Sequence, residues 1–126
     1  MLSFTRRFLL AALSLFSPIN KVDAVTEPGW LPDRSTIDKI EASLVMPKGA
    51  APLSAYRRRY GGVIEEGHRI IWGVFLLSTM APSDEEITIL NRRPVARLLD
   101  GGCLVVTLKF DVGSKRVLWI ECNGQA

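Results

Sequence analysis

Residues 103–122, CLVVTLKFDVGSKRVLWIEC, contain two alternating apolar runs separated by the segment DVGS. Both runs are rich in β-branched and aliphatic residues, and the Asp and Gly between them are typical of a tight turn. The pattern predicts a β-hairpin formed by Cys103–Phe110 and Lys115–Cys122. Because both faces of this hairpin are mostly apolar, we expect it to lie centrally in a sheet. Its two faces are then both covered by the rest of the domain, or one face is covered by the domain and the other by a partner molecule.

The two cysteines of the chain stand at the outer ends of the hairpin arms. A two-residue loop at Val112-Gly113 would place residues whose numbers sum to 225 opposite each other, and Cys103 and Cys122 meet that condition. Other loops with an even number of residues keep both side chains on one face with a diagonal offset. We therefore predict a Cys103–Cys122 disulfide, a bond that is common in small exported domains.

Upstream of the hairpin, the sequence predicts one helix. Ser35 can cap its first free amides, and Asp38 can reach back to complete a capping box. Apolar residues recur at helical spacing from residue 37 to residue 45, and Pro47 ends the helix. We expect Asp38, Lys39 and Glu41 to face away from the core.

The segments between the helix and the hairpin alternate in the manner of strands. The predicted strands are Tyr56–Val63, His68–Leu77, Ile87–Leu90 and Pro94–Leu99. Gly61-Gly62 indicates a bulge or bend in the first of them, and Met80–Glu86 is predicted to be a loop. This order predicts an α+β domain with one N-terminal helix packed on a curved antiparallel sheet of about four to five strands. Such an order of elements is cystatin-like.

The first 24 residues have the three regions of a secretory signal peptide. Met1–Arg7 is basic, Phe8–Phe16 is apolar, and Val22-Asp23-Ala24 offers small residues at the cleavage site. The apolar run is much shorter than the ~20 residues that span a bilayer. We therefore predict a signal peptide at residues 1–24, an irregular arm at 25–34 and a single α+β domain at 35–126. Arg6-Arg7 fits both the general and the twin-arginine export routes.

The signal peptide also carries much of the positive charge. The whole chain has 16 basic and 13 acidic side chains. Cleavage removes Arg6, Arg7 and Lys21 against Asp23, which leaves 13 basic and 12 acidic side chains. A net charge of +1 offers no basic footprint, so we expect no nucleic-acid partner. We also expect no stable membrane span after cleavage, and a periplasmic or secreted product.

Two segments carry a resemblance to known sequences. They are IEASLVMPKGAAPL (residues 40–53) with Tyr56-Arg57-Arg58, and DGGC (residues 100–103) with ECNG (residues 121–124). Both resemble short exported bacterial proteins of unassigned function, and the resemblance spans most of the mature chain. It implies export and a cysteine pair, and it supplies no chemistry.

The segment Tyr56-Arg57-Arg58-Arg59-Tyr60 has the most unusual local composition. On a strand, Tyr56, Arg58 and Tyr60 share one face, while Arg57 and Arg59 share the other. Arginines between aromatic residues can bind phosphate, carboxylate or sugar chains through planar donors and stacking. A charged edge strand protected from edge pairing is the alternative interpretation. We predict a binding surface at Tyr56, Arg57, Arg58, Arg59 and Tyr60.

Three further groups have reactive side chains without the partners that catalysis or metal binding needs. His68, the only histidine, can act as a base, but no nucleophile motif accompanies it. Glu65-Glu66-Gly67-His68 offers ligands to a metal, but adjacent residues rarely converge on one ion. Cys103, in Asp100-Gly101-Gly102-Cys103, is a nucleophile only if it is unpaired. We therefore assign no catalytic residue, no metal and no cofactor.

Two function classes remain. The first, which we favour, is an exported, non-catalytic module that binds an unknown protein or an anionic envelope ligand. The alternative is a small periplasmic enzyme that uses His68 with a carboxylate, or a free Cys103. Catalysis requires positioned groups with matched pKa values, and the sequence shows no such constellation.

Overall fold

The structure is a computed structural model that describes residues 28–79, 86–96 and 101–124. The predicted signal peptide, most of the predicted loop at 80–86 and the second half of the predicted strand at 94–99 lie outside these residues. The described elements, in chain order, are β1 (Gly29–Trp30), α1 (Arg34–Ser43), a 3-10 helix (Leu53–Ala55), β2 (Tyr56–Glu65), β3 (His68–Leu77), β4 (Ile87–Leu90), β5 (Gly102–Asp111) and β6 (Arg116–Asn123). Residues 94–96, the described part of the predicted fourth strand, are not in a strand.

The strands form one sheet with the order β1-β2-β3-β5-β6, in which each neighbour pair is antiparallel. Two strands pair with the edge of β2 that faces away from β3. β1 pairs with it at Gly62 and Val63, and β4 pairs in parallel from Arg58 to Gly61. An antiparallel sheet with one α-helix in the described residues confirms the predicted α+β class at this level. The central position that we expected for the whole hairpin is wrong for its second strand, because β6 forms an edge of the sheet.

The main core lies between α1 and one face of the sheet, which we call the helix face. Ile37 and Ile40 of α1 are buried there, as the helical spacing predicted. The buried strand residues of this cluster are Tyr56, Tyr60, Ile71, Phe75, Val106 and Leu108. The opposite side, which we call the outer face, carries a smaller buried cluster of Val63, Ile70 and Trp72. A ten-residue helix is marginal in isolation, so α1 depends on this packing.

The helix begins two residues earlier than the expected capping box. Asp33, not Ser35, is the N-cap, and its carboxylate accepts a hydrogen bond of 3.1 Å from the Thr36 amide. Hydrogen bonding with the Thr36 side chain, and then with this amide, holds the pKa of Asp33 below its usual value. Asp38, which we expected to complete the capping box, instead accepts a 3.0 Å hydrogen bond from Arg34 one turn earlier. The helix ends at Ser43, well before Pro47.

The disulfide between Cys103 and Cys122 is confirmed, with a Cα–Cα distance of 4.5 Å. The register that we used to predict it is wrong. The connection covers residues 112–115, and Cys122 is the Cα partner of Val106, not of Cys103. An irregularity between Gly102 and Val106 on β5 then returns Cys103 to Cys122. The longer turn is favoured because the Asp111 carboxylate accepts hydrogen bonds from both the amide and the hydroxyl of Ser114.

The predicted bulge at Gly61-Gly62 is also wrong, because β2 pairs with β3 without interruption from Tyr56 to Glu65. The two glycines instead allow close approach of other segments. A Cβ at Gly62 would lie 2.6 Å from Cε2 of Trp30, and a Cβ at Gly61 would lie 1.7 Å from the carbonyl oxygen of Arg92. Trp30, in the predicted irregular arm, therefore packs flat on β2 and donates a 2.9 Å hydrogen bond to the Val63 carbonyl.

We expect Gly62→Ala to lower the free energy of unfolding by about 1–3 kcal/mol, because the new methyl group overlaps Trp30. Gly113→Ala is the matched control, since a Cβ there meets its nearest atom only at 4.0 Å. Urea denaturation of the mature chain measures both changes. Equal effects of the two substitutions would contradict the assigned role of Gly62.

Candidate functional site

The structure divides the five residues predicted to bind a ligand between the two faces of β2. Tyr56, Arg58 and Tyr60 point into the helix face and are buried, with Arg58 only 8% exposed. Arg57 is half-buried and Arg59 is exposed on the outer face. The alternation was therefore predicted correctly. β2 is not an edge strand, however, since β1 and β4 pair with the edge that faces away from β3. Only Arg57 and Arg59 remain accessible to a ligand.

Arg58 lies in a buried ion pair with Glu41 of α1. Its Nε and Nη2 donate hydrogen bonds of 2.9 and 3.1 Å to the two carboxylate oxygens. Tyr60 donates a 2.6 Å hydrogen bond to the same carboxylate. Burial, and then the hydrogen bond to Glu41, raise the pKa of the Tyr60 hydroxyl far above its ordinary value. The expectation that Glu41 faces away from the core is wrong, because Glu41 fixes α1 over β2.

A second buried hydroxyl, that of Tyr56, connects the loop after α1 to the start of β5. It accepts a 3.2 Å hydrogen bond from the Ala51 amide and donates one of 2.6 Å to the Cys103 carbonyl. The remaining donor of Arg58, Nη1, contacts the carbonyls of Leu53 and Tyr56 at 3.3 and 3.0 Å. The polar atoms of these three side chains are thus used inside the fold, and this half of the predicted cluster is structural.

The outer face holds a different arrangement of aromatic and basic groups, centred on Trp72. Its indole nitrogen donates a 2.8 Å hydrogen bond to Glu65, which also forms a 2.7 Å ion pair with Lys109. The Arg93 guanidinium lies 3.7 Å from the centre of the Trp72 ring, and the Trp119 ring meets it edge to face at 5.5 Å. Such a stack favours a fixed guanidinium position.

Glu65 stays ionised in this arrangement. Burial raises its pKa, but the hydrogen bonds from Lys109 and Trp72 outweigh burial, so that the pKa lies below its usual value. The carboxylate is thereby occupied by partners on the outer face. It leaves the guanidinium of Arg93 without an ion pair among the described residues.

A cleft of about 340 Å³ opens beside Arg93 on the outer face, and we call it the Arg93 cleft. Its described lining consists of Trp72, Val74, Arg93, Pro94, Val95, Ala96, Thr107 and Asn123. Arg93 is the one charged residue in that lining, and Thr107 and Asn123, joined by a 2.6 Å hydrogen bond, are its polar wall. Arg59 lies next to the cleft, since it is the strand partner of Val74. The cleft can hold an anion with an apolar body.

His68 lies away from this cleft, exposed at the start of β3. It shares a cavity of about 240 Å³ with Glu65, Glu66, Ile70, Lys109, Asp111 and Leu118. None of these described lining residues carries a hydroxyl or thiol nucleophile. Hydrogen bonds from Ser114 lower the pKa of Asp111, and the charge of His68 adds to that effect.

A third cavity, of about 550 Å³, lies beside the disulfide and is lined by Pro47, Lys48, Gly102, Cys103, Glu121, Cys122 and Gly124. Cys103 offers no thiol there, because it is bonded to Cys122. In the described residues, no group of three His, Cys, Asp or Glu side chains is placed to hold a metal ion. The same residues include no helix long and apolar enough to cross a bilayer.

Comparisons with known proteins give no assignment. No protein-family model matches the chain, and no curated protein or solved structure shows significant similarity to it. The geometry of the outer face is therefore the basis for assigning a function.

Sequence reasoning missed the residues that line the Arg93 cleft. Alternation within His68–Leu77 does place Trp72 and Val74 on one face, but it does not show which segment covers them. Arg93 reaches Trp72 because β4 pairs in parallel with β2 and directs residues 91–96 across the outer face. That long-range pairing leaves no local signal.

We expect Glu41→Gln to lower the free energy of unfolding by about 3 kcal/mol, because it leaves the buried Arg58 charge without a counter-ion. Asp38→Asn is the matched control on the same helix. Its ion pair with Arg34 is more than half exposed, and exposed pairs contribute about 0–1 kcal/mol. Urea denaturation of both variants gives the comparison, and a loss at Glu41 no larger than that at Asp38 would contradict a stabilising role for the buried pair.

Proposed function

We propose that the mature chain is an exported, non-catalytic binding module that takes an anionic ligand with an apolar body in the Arg93 cleft. The observation that carries this proposal is the lining itself. One guanidinium, stacked on Trp72 at 3.7 Å, stands among mainly apolar side chains. A volume of about 340 Å³ falls within the range of small-molecule sites.

The charges around the cleft support an anion. No acidic side chain is part of its described lining, and the nearby Glu65 is neutralised by Lys109. At the rim, Arg59 adds a second positive group beside Val74, and Glu121, the strand partner of Thr107, adds a negative one. The planar donors of arginine suit a carboxylate, sulfonate or phosphate group. Thr107 and Asn123 offer a polar wall to the same group.

The alternative is a small periplasmic enzyme that uses His68 with a carboxylate. It is supported by the cavity that His68 shares with Glu65, Glu66 and Asp111. Binding is favoured because that cavity has no hydroxyl or thiol nucleophile in its described lining, and because the carboxylates of Glu65 and Asp111 already accept internal hydrogen bonds. Retained phenotype after His68→Ala would separate the two classes.

Export, a periplasmic or secreted location and the cystatin-like order of elements belong to the same proposal. A disulfide fits an oxidising compartment, and the basic and apolar regions of residues 1–24 fit a cleaved signal. The N-terminal helix lying across an antiparallel sheet fits the cystatin-like order.

The probe for the Arg93 cleft is 8-anilino-1-naphthalenesulfonate, which combines an apolar body with a sulfonate. We expect Arg93→Gln to weaken its binding at least about tenfold, since a hydrogen bond to a charged group contributes about 1.5–3 kcal/mol. Fluorescence titration of the mature chain measures the affinity. Arg92→Gln, a neighbouring exposed arginine outside the cleft lining, is the control and should leave affinity unchanged.

A second probe tests the charge itself. N-phenyl-1-naphthylamine has the same rings without the sulfonate, so its binding should not depend on the positive charge at residue 93. Equal losses for Arg93→Gln and Arg92→Gln, or equal losses for the two probes, would overturn the assignment of an anion site.

Export is tested by the intact mass of protein recovered from the periplasm. We expect a chain that begins at Val25 and is two hydrogen atoms lighter than its reduced form, since one disulfide forms. Recovery of the full-length chain in the membrane fraction would contradict cleavage.

A further inference from the structure

The strand β6 is an edge whose outer side is unpaired within the described residues. Three consecutive apolar residues at its centre are exposed: Val117 at 40%, Leu118 at 49% and Trp119 at 37%. Of the features that proteins use to block edge pairing, the strand lacks proline and lysine but contains a bulge. Its backbone donors and acceptors are therefore a surface for another strand.

A bulge determines which side chains of β6 share a face. Lys109 is the partner of Trp119 and Phe110 is the partner of Val117, which leaves Leu118 as an extra residue. Because of this extra residue, the alternation shifts by one position. Arg116, opposite Asp111, therefore lies on the same face as Trp119 and Glu121, whereas a regular strand would put residues 116 and 121 on opposite faces.

This shift makes β6 complementary to itself. An antiparallel pair of identical edge strands is related by a two-fold axis perpendicular to the sheet, so each residue must face a partner on the same face. An axis between Leu118 and Trp119 satisfies that condition for the residues on either side of the bulge. It places Arg116 opposite Glu121 of the partner subunit. It also places Val117 opposite the partner subunit's Ile120.

The charges fit this register and remain available for it. The two-fold symmetry produces the Arg116–Glu121 contact twice. Neither residue forms an ion pair within the described part of the chain. The exposed Leu118 of each subunit faces Trp119 of the partner subunit at the axis, where cross-strand apolar pairs stabilise a sheet.

We propose that the mature chain forms a two-fold homodimer in which the β6 strands pair antiparallel in this register and join the two sheets. The paired residues 116–121 are not part of the described lining of the Arg93 cleft, so the proposal stands apart from the proposed ligand. A second copy is favoured over an unrelated strand because one residue pattern supplies both halves of each ion pair.

Sedimentation equilibrium of the mature chain tests the proposal through charge reversal. We expect Arg116→Glu and Glu121→Arg each to raise the dimer dissociation constant about tenfold or more, because each creates two like-charge contacts. The double variant R116E/E121R should return to within about threefold of the original value, since it restores both pairs in reverse. Lys115→Glu, the same charge change just outside β6, should have a small effect.

Leu118→Lys provides a second route, because it places a charge at the axis and should give a monomer. Retention of the disulfide and of the far-ultraviolet circular dichroism shows that each variant is folded. A wild-type chain that is monomeric at about 1 mM, a limit that corresponds to about −4 kcal/mol of association, overturns the proposal. A dimer that is insensitive to both single reversals, or a double variant that is not rescued, overturns the register.

Discussion

The ion pair between Glu41 and Arg58 is the contact on which the relation of helix to sheet depends. A ten-residue helix provides little stability alone, and its two buried isoleucines would tolerate rotation over an apolar surface. The two hydrogen bonds between the guanidinium and the carboxylate do not tolerate such rotation, because both nitrogen–oxygen distances must be met together. The hydrogen bond from Tyr60 to the same carboxylate adds a third constraint. The position of α1 over β2 is thus set by polar geometry within an apolar core.

This constraint also separates two roles within one run of arginines. The strand alternation places Arg57 and Arg59 on the face opposite to Arg58. Arg58 is paired with Glu41 inside the core. A burial of charge normally costs several kcal/mol, and the full set of partners on Arg58 offsets it. On the outer face, Glu65 is paired with Lys109. Arg93 lies in the lining of the cleft, and Arg59 lies beside it as the strand partner of Val74.

Alternation and turn residues were sufficient to predict much of the fold. The bounds His68–Leu77 and Ile87–Leu90 are those of β3 and β4, and the disulfide follows from two cysteines at the outer ends of the two arms of one hairpin. Local patterns gave wrong predictions where a residue distant in sequence determines the conformation or the burial. The orientation of Glu41 depends on an arginine 17 residues away, and the glycines of β2 make room for Trp30 and Arg92 rather than forming a bulge. The cleft was not predictable for the same reason, since Arg93 reaches Trp72 only through the parallel pairing of β4.

That parallel pairing also bears on the order of assembly during folding. The hairpins β2–β3 and β5–β6 join segments close in sequence, and such contacts form early because little chain entropy is lost in closing short loops. The contact of β4 with β2 must bring together strands separated by all of β3 and the segment after it. The pairing of β3 with β5 spans at least as many residues, from Leu76–Val105 to Ile70–Asp111, so we expect both long-range pairings to follow the two hairpins. The Arg93 cleft, whose lining needs both of these pairings, would then form only after the disulfide-linked hairpin.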